Sequence, residues 1–337
     1  MADHFLEVLS SPRRRRSNYA RQSRLRGRLL TTLAFLVAAI AGGAAFFLPA
    51  ALVAVSATSQ PLPRPSDTSR PIVAAGDPFT LLLLGSDDDS KFPKDRTNTQ
   101  SMILVRVVPT SHQVTMLSIP RDLYVPLSTG GVGKISLAYA YGGAPAAVAT
   151  VERNFKVRID DYAWIGLKGL VGLVDELGGV DLVVSNPVMD DYFPDDLNPG
   201  SPYGYQRVAV LPGPQHLDGV HALQYVRSRH SDLRSDFGRS QRQQQLLLAL
   251  KQRAKSVNIT DLPRLVGTFS GEFKTSLGVD RIQALVPLAA GFNTSDIHQV
   301  FLAPPLTTAA TLSDSEDVLL PDWNAILPIV AESFPAR

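Results

Sequence analysis

The sequence predicts an α/β domain with a mixed central sheet covered by helices on both faces, preceded by one N-terminal transmembrane helix. Two observations predict this class: an uncharged apolar run at 29–55, and an alternation of short apolar runs with helix-like stretches from residue 79 onward. Of the 337 residues, 45% are hydrophobic and 19% are charged, which is typical of a packed globular chain. Cysteine is absent, which excludes disulfides, thiolate chemistry and cysteine-ligated metal centres.

The formal net charge of +2 conceals an uneven distribution. Residues 1–28 contain eight arginines and two carboxylates, whereas the rest of the chain has 25 basic and 29 acidic residues. Because the body is slightly acidic, we expect no nucleic acid among its partners. The basic segment 1–28 is interpreted as a cytoplasmic tail.

The segment 29–55 has 27 residues without a charge, and about 20 suffice for a helix across the bilayer core. The alternatives are a cleaved signal peptide, whose apolar region usually has about 7 to 15 residues, and a buried core helix, which is rarely apolar on all sides. Arginine-rich flanks stay in the cytoplasm under the positive-inside rule. We therefore expect a single-pass protein of the cell membrane, in contact with membrane lipid, whose main domain is extracytoplasmic.

Residues 56–78 are rich in Pro, Ser, Thr and Ala, which is typical of a semi-extended linker. The extracytoplasmic domain is therefore expected at 79–337. We divide it into a core at 79–255, which carries the motifs described below, and a helical extension at 256–337.

Within the core, short continuous apolar runs predict strands and longer amphipathic stretches predict helices. The predicted strands are 79–85, 101–108, 113–119, 162–166 and 180–184, and the predicted helices are about 144–155, 167–177, 218–226 and 236–254. The turn-forming residues 109–112 between two of these strands predict a hairpin, and hence a mixed sheet. In the extension, 258–302 is expected to be helical, 303–321 to be a loop and Trp323–Val330 to be a short terminal helix.

Arginines gather where predicted strands and helices end. Pro120 stops the strand that ends in Ile119, which leaves Arg121 at the carboxyl end, where open α/β sheets usually place their ligands. Arg227 and Arg229 are two residues apart just after a helix, so in an extended segment both side chains point the same way.

A predicted helix that begins near Asp236 carries Asp236, Arg239 and Gln243 on one face, with Arg242 beside Gln243. Each arginine taken alone is better explained by a surface ion pair or a solvated edge. Buried together without an anion, they would repel one another at a considerable cost in free energy. A shared phosphate ligand is the favoured interpretation, because planar guanidinium donors match phosphate oxygens and a helix N-terminus adds partial positive charge.

Six ordered blocks give the sequence a family resemblance. They are LLLLGSD (81–87), MILV (102–105), VTMLSIPRD (114–122), KISLAYAYGG (134–143), LPGPQHLDGVHALQYVRSR (211–229) and DFGRSQRQQ (236–244). Their order resembles the LytR-CpsA-Psr family of bacterial cell-envelope proteins. The resemblance implies a phosphotransferase that moves a glycopolymer from a polyprenyl-pyrophosphate carrier onto peptidoglycan, with Mg²⁺ as cofactor and the lipid in an apolar tunnel between sheet and helices.

The resemblance also assigns roles to matching positions. The residues implied to bind the pyrophosphate are Arg121, Lys134, Arg227, Arg229, Arg239, Arg242 and Gln243. Asp87 falls on a metal-binding position, and Asp236 falls on the acid that takes the proton of the acceptor hydroxyl. Arg121 and Asp236 are therefore the implied catalytic residues.

One departure from the family pattern concerns the metal. Where the family has Asp-Thr before its M-x-L-V strand, this chain has Gln100-Ser101, so a second carboxylate is replaced by a neutral oxygen at Gln100. A neutral ligand attracts a hard cation less strongly than a carboxylate does. Nearby acids at 88, 89 and 95 are alternative ligands, although a solvated acidic loop is the simpler interpretation.

Three functions are left open by the sequence. The first is the glycopolymer phosphotransferase, and the second is a module that binds a polyprenyl phosphate or glycolipid with weak or no turnover because of Gln100. The third is an envelope-linked transcriptional regulator that acts through its arginine-rich tail. The acidic stretch 190–196 is interpreted as a surface loop, with Ca²⁺ binding as the alternative.

Overall fold

The computed structural model describes most of the predicted extracytoplasmic domain. The described residues are 62, 76–87, 91–94, 96–198, 200–201, 203–229, 235–255, 271–278 and 292–335, and the side chains at 235, 236 and 294 are not included. The predicted tail, the apolar segment 29–55 and almost all of the linker lie outside them. Within the described part, no helix is both long enough and apolar enough to cross a membrane.

A six-stranded sheet forms the centre of the domain, in the order β11-β6-β1-β2-β3-β12. Its strands are β1 (Phe79–Ser86), β2 (Thr99–Val108), β3 (Gln113–Ser118), β6 (Asp161–Ile165), β11 (Phe273–Thr275) and β12 (Ile297–Phe301). The antiparallel pairs are β1 with β2, β2 with β3 and β6 with β11, while β1 with β6 and β3 with β12 are parallel. The sheet is therefore mixed, as predicted.

The predicted hairpin between β2 and β3 is confirmed. A short 3₁₀ turn, Pro109–Ser111, connects the strands, and His112 closes it in the left-handed region with φ of 53°. The hairpin makes β3 antiparallel to β2, so β3 runs in the same direction as β1.

Helices cover both faces of the sheet. The described helices are α1 (Leu137–Phe155), α2 (Leu167–Glu176), α3 (Gly219–Arg227), α4 (Ser235–Ala254) and α5 (Trp323–Ser333). Successive strand residues point to opposite faces, so Leu82 packs in a cluster with Val151 of α1, whereas Ile103 packs in a cluster with Leu247 and Leu248 of α4. The covering of both faces that the sequence predicts is thus present.

Four two-stranded sheets lie outside the central sheet. They pair β4 (Tyr124–Pro126) with β5 (Val132–Lys134), β7 (Val180–Val184) with β10 (Gly213–Leu217), β8 (Val188–Pro194) with β9 (Tyr205–Val210), and β13 (Thr307–Thr311) with β14 (Asp317–Pro321). The predicted strand 180–184 is therefore correct. It pairs with β10 rather than with the central sheet.

The prediction for the extension is wrong in two places. Part of the segment expected to be helical forms β11 and β12, because these short strands supply backbone partners for the edges of β6 and β3. The segment 303–321, expected to be a loop, forms the hairpin β13–β14, whose stretch TTAAT has too little apolar periodicity to indicate a strand. The terminal helix is confirmed as α5, where the Asp322 side chain accepts from the Asn324 and Ala325 backbone N–H groups at 3.0 and 3.3 Å.

The start of α3 is fixed by a cap and by a close helix contact. The Asp218 side chain accepts from the backbone N–H of His221 at 2.8 Å. Partial burial opposes ionisation of Asp218, but the hydrogen bonds from His221 outweigh it and hold the pKa of this carboxyl below its ordinary value of 3.8. Next to the cap, the N–H of Gly219 donates to the Asp175 carboxylate of α2 at 2.7 Å.

Gly219 is required by the contact between α2 and α3. A Cβ atom at this position would lie 2.2 Å from the backbone oxygen of Val171. Because a backbone oxygen cannot rotate away, any side chain at 219 would push the two helices apart. We expect Gly219→Ala to lower the free energy of unfolding by about 2–3 kcal/mol, measured by urea denaturation.

The neighbouring substitution Val220→Ala is the control for this prediction. Val220 is exposed on the same first turn of α3, and surface substitutions usually change stability by less than about 0.5 kcal/mol. Equal stability of Gly219→Ala and the control would contradict the proposed helix contact.

Candidate functional site

Five of the predicted site residues line one polar pocket of about 440 Å³. They are Asp87, Gln100, Arg121, Arg227 and Arg229. The pocket is completed by Asp190, Tyr192, Pro194 and Tyr205 of the β8–β9 hairpin. Arg121, Arg227 and Arg229 therefore converge as the charge pattern predicted, and Asp87 and Gln100 lie with them as the resemblance implied.

The sheet topology explains this convergence. β1 and β3 run in the same direction and β2 runs against both, so the ends of β1 and β3 lie at the same edge as the beginning of β2. Asp87 follows β1, Gln100 is the second residue of β2, and Arg121 follows β3. The alternating directions of the three strands thus bring three of the predicted site residues to one edge of the sheet.

Asp87 lies between two arginines. One of its carboxylate oxygens accepts from Nη1 of Arg121 at 2.8 Å, and the other accepts from Nη2 of Arg227 at 3.2 Å. The same Nη1 of Arg121 also donates to Oε1 of Gln100. Asp87 therefore reduces the repulsion between two guanidinium groups that the fold places close together.

Arg227 is held by contacts on several sides. It is the last residue of α3 and is buried, and its Nη1 donates to the Asp196 carboxylate at 2.8 Å. Its guanidinium lies 5.7 Å from the centre of the Phe193 ring. Asp196 is itself fully buried and forms a second ion pair with Lys91 at 2.8 Å.

The interpretation of 190–196 as a surface loop is wrong for two of its acids. Asp190 and Asp196 are buried, and each contacts the arginine segment, Arg227–Arg229. Asp190 accepts from the backbone N–H of Arg229 at 3.2 Å, and Asp196 accepts from Arg227. Acids grouped in a polar stretch resemble a solvated loop, and only the partner arginines, more than thirty residues away, reveal their role.

Lys134 lies beside the pocket without lining it. Its Nζ is 3.4 Å from Asp122 and 3.3 Å from Glu316, and Asp122 is in turn 3.6 Å from Nε of Arg121. Lys134 is thus connected to Arg121 through one shared carboxylate. Its predicted role at the pyrophosphate stays a prediction.

The helix α4 contacts the backbone of the arginine segment. Arg242 is buried, and its Nη2 donates to the backbone oxygen of Ser228, the residue between Arg227 and Arg229. Its guanidinium also lies 5.7 Å from the centre of the Tyr225 ring. In the structure Arg242 thus fixes the backbone that presents the other two arginines, and it is not among the described lining residues of the polar pocket.

The other predicted residues of α4 are placed differently. Arg239 is buried and does not line the polar pocket among the described residues. Gln243 accepts from the Ser101 hydroxyl at 2.9 Å and lines an apolar cavity. α4 is described from Ser235 onward and includes Asp236, whose side chain lies outside the described residues.

The apolar cavity has a volume of about 180 Å³ and lies between the sheet and the helices α2, α3 and α4. Its main apolar lining residues are Leu83, Leu84, Ile103, Trp164, Ile165, Leu167, Leu170, Leu223, Val226, Leu246, Leu247, Leu250 and Phe273. Gln100 and Arg227 line both this cavity and the polar pocket. The two spaces therefore adjoin, which suits an amphiphile with an anionic head and an apolar tail.

The predicted metal ligands supply two oxygen atoms. Asp87 and Gln100 both contact one nitrogen of Arg121, so their oxygens converge. Among the described residues, no group of three or more His, Cys, Asp or Glu side chains is arranged to hold a metal ion. Any metal held here would need further ligands, such as the oxygens of a bound phosphate.

Comparisons with known proteins identify the family of this chain. The model of the LytR_cpsA_psr family matches residues 53–315. Polyisoprenyl-teichoic acid–peptidoglycan teichoic acid transferase TagV of Bacillus subtilis is 34% identical over 226 residues, which are 65% of this chain and 55% of that protein. The transferase of the same description called TagU in Oceanobacillus iheyensis is 30% identical over 271 residues, 77% of this chain and 79% of that protein.

The fold is also similar to a solved structure. The crystal structure of B. subtilis TagV has a TM-score of 0.63 at 28% identity, and the match covers 78% of this chain and 99% of that chain. This chain spans little more than half the length of several curated relatives that it matches. Since the family model matches most of the chain, the resemblance of the six blocks is confirmed, and the chain belongs to the LytR-CpsA-Psr family.

Proposed function

We propose that the chain is a membrane-anchored phosphotransferase that moves a glycopolymer from a polyprenyl-diphosphate carrier onto peptidoglycan. The observation that carries this proposal is the junction at Arg227 and Gln100, where an arginine-lined pocket adjoins an apolar cavity. A prenyl chain fits the chemistry of the cavity, and a diphosphate fits the arginines. The names of the relatives supply the polymer class and the acceptor, since TagV and TagU are called transferases of teichoic acid to peptidoglycan.

The described residues suit the binding of the diphosphate. Arg121, Arg227 and Arg229 line the pocket and offer planar donors that match phosphate oxygens. Asp87 and Asp196 hold the first two arginines in place through hydrogen bonds of 2.8 to 3.2 Å. Phosphoryl transfer depends mainly on positioning and charge neutralisation, which such a preorganised cluster provides.

The proposed reaction is a displacement at phosphorus. The oxygen of an acceptor hydroxyl forms a bond to the phosphorus that carries the glycopolymer, and the bond from that phosphorus to the bridging oxygen breaks. Polyprenyl monophosphate leaves, and the polymer becomes attached through a phosphodiester. The proton of the hydroxyl passes to a carboxylate, for which the family resemblance implies Asp236.

The donor set fits Mg²⁺ as the proposed cofactor. A carboxylate oxygen of Asp87 and the amide oxygen of Gln100 converge, and Mg²⁺ is commonly bound by one or two protein oxygens together with substrate phosphates. When bound, Mg²⁺ would neutralise part of the diphosphate charge. Asp87 and Gln100 would hold the ion, and Arg121, which donates to both oxygens, also lines the pocket proposed for the diphosphate.

From the lining of the polar pocket we predict a large loss of turnover in alanine variants of its arginines. Arg121→Ala and Arg227→Ala are each expected to reduce the release of polyprenyl phosphate from a saccharide-linked polyprenyl diphosphate by about 100-fold or more, because each removes a charged donor to the leaving group. Arg207→Ala is the control, since Arg207 pairs with Asp191 on the exposed side of the β8–β9 hairpin. Retention of more than a tenth of the activity in both pocket variants would contradict the proposal.

The buried pair of Asp196 and Arg227 predicts a stability effect. Asp196→Asn leaves the charges of Arg227 and Lys91 without their buried carboxylate, so we expect the free energy of unfolding to fall by about 3 kcal/mol. The same substitution at Asp191, whose ion pair with Arg207 is exposed, is expected to have no measurable effect. Urea denaturation of the two variants tests this, and similar stabilities would show that Asp196 does not support Arg227.

The neutral ligand Gln100 predicts a shift in metal dependence. Gln100→Asp is expected to lower the Mg²⁺ concentration for half-maximal turnover by about tenfold, since a carboxylate attracts the cation more strongly. Gln100→Leu, which removes the oxygen, is the matched control and is expected to raise that concentration. If the wild type binds the lipid without turnover and Gln100→Asp restores turnover, the chain is the binding module that the sequence left open.

A further inference from the structure

The hairpin β8–β9 brings two exposed tyrosines to the edge of the polar pocket. Tyr192 and Tyr205 line this pocket together with the three arginines described above. They are 63% and 68% exposed, their ring centroids are 6.3 Å apart, and their planes meet at 79°. The two rings therefore form a corner of aromatic surface that is open to solvent.

A β-bulge produces the position of Tyr192. The register of β8 against β9 shifts between Asp190 and Phe193, so Asp191 and Tyr192 together lie opposite one residue, Arg207. A bulge changes the direction of the side chains it carries and is common beside active sites. In a regular strand, Tyr192 would lie on the same face as the buried Asp190. Because of the bulge, Tyr192 is exposed instead.

Asp190 connects the tyrosine to the arginine segment. This carboxylate is buried, and one of its oxygens accepts from the backbone N–H of Tyr192 at 3.0 Å while the other is 3.2 Å from the backbone N–H of Arg229. The buried Asp190 carboxylate thus fixes both the backbone of Tyr192 and the backbone of Arg229 at the polar pocket. The geometry is that of one continuous binding surface.

The chemistry of this corner suits a sugar. The face of an aromatic ring is negative, so it attracts the weakly positive C–H groups on one face of a pyranose, while the sugar hydroxyls remain in water. A group attached to a diphosphate that is bound by the arginines would lie at the rim of the pocket, where the tyrosines are. In the proposed donor that group is the first sugar of the glycopolymer.

We propose that Tyr192 and Tyr205 form a stacking platform for the pyranose ring attached to the diphosphate of the donor. This inference rests on the proposed function and adds a recognition site for the polymer itself. It assigns the arginines to the diphosphate and the tyrosines to the sugar, so the two parts of the ligand are recognised by separate residues.

Two diphosphate diesters of equal charge test the platform. One carries a farnesyl and a methyl group, and the other carries a farnesyl and a glucosyl group, so they differ only in the sugar. Calorimetric titration of the 337-residue chain in detergent is expected to show that the glucosyl diester binds about fivefold to tenfold more tightly. Tyr192→Ala/Tyr205→Ala is expected to remove most of this preference.

Two further variants complete the test. Tyr192→Phe/Tyr205→Phe keeps both ring faces and is expected to retain the preference. Tyr203→Ala is the matched control, because Tyr203 is 75% exposed beside the same hairpin but does not line the polar pocket among the described residues. Its preference for the glucosyl diester is expected to match the wild type.

The outcomes separate this inference from the proposed function. If the wild type binds neither diester, the proposed function fails and the platform with it. If the wild type binds both but shows no preference, or the double alanine variant keeps the preference, only the platform is overturned. An equal loss of affinity for both diesters in the alanine variant, or loss of the preference in the phenylalanine variant, would also overturn stacking on the sugar.

Discussion

The site depends on the placement of the Asp87 carboxylate between the guanidinium groups of Arg121 and Arg227. Two like charges that are brought together and partly removed from water repel each other and lose hydration, and both effects oppose folding. The carboxylate offsets this cost because it accepts a hydrogen bond from each arginine. In the proposed complex the diphosphate is a second anionic partner for the same arginines, so the pocket is charge-compensated both before and after the ligand binds.

This arrangement follows from a simple property of the sheet. β1 runs toward this edge of the sheet, β2 runs away from it and β3 runs back to it. Asp87, Gln100 and Arg121 are therefore neighbours, although Asp87 and Arg121 are 34 positions apart in the sequence. Arg227 is the last residue of α3, and the close contact of Gly219 with α2 fixes the start of this helix. The central sheet and the contact between α2 and α3 thus position separate parts of the charged cluster.

The sequence predicted four of the six central strands, the hairpin at 109–112 and the convergence of Arg121, Arg227 and Arg229, because each of these follows from local apolar patterns or from the ends of strands and helices. It did not predict β11, β12 and the β13–β14 hairpin, since these short strands are stabilised by pairing with distant edges and have little pattern of their own. The same limit applies to the site. Asp190 and Asp196 resemble solvated acids until their arginine partners are known.

The bulge at Tyr192 could not be predicted for a related reason. A bulge depends on the register between two strands, and β8 and β9 are joined by a polar segment that gives no register signal. The lining of the apolar cavity was equally inaccessible, because its residues come from strands and helices throughout the core. The family resemblance therefore assigned roles to charged positions. The tyrosine corner and the lining of the apolar cavity could be recognised only from the three-dimensional structure.

In the proposed complex, the apolar cavity and the polar pocket would contribute binding free energy with different consequences for catalysis. A prenyl chain in the apolar cavity would contribute roughly 0.8 kcal/mol for each buried CH₂ group, and it would do so equally before and during the reaction. Such uniform binding raises affinity without lowering the barrier to the chemical step. In the proposed complex the arginines would contact the part of the ligand where charge changes, so their contribution would grow as the bridging bond breaks. Because Arg227 and Gln100 line both spaces, these two residues would link the position of the lipid to the position of the reacting phosphorus in the proposed complex.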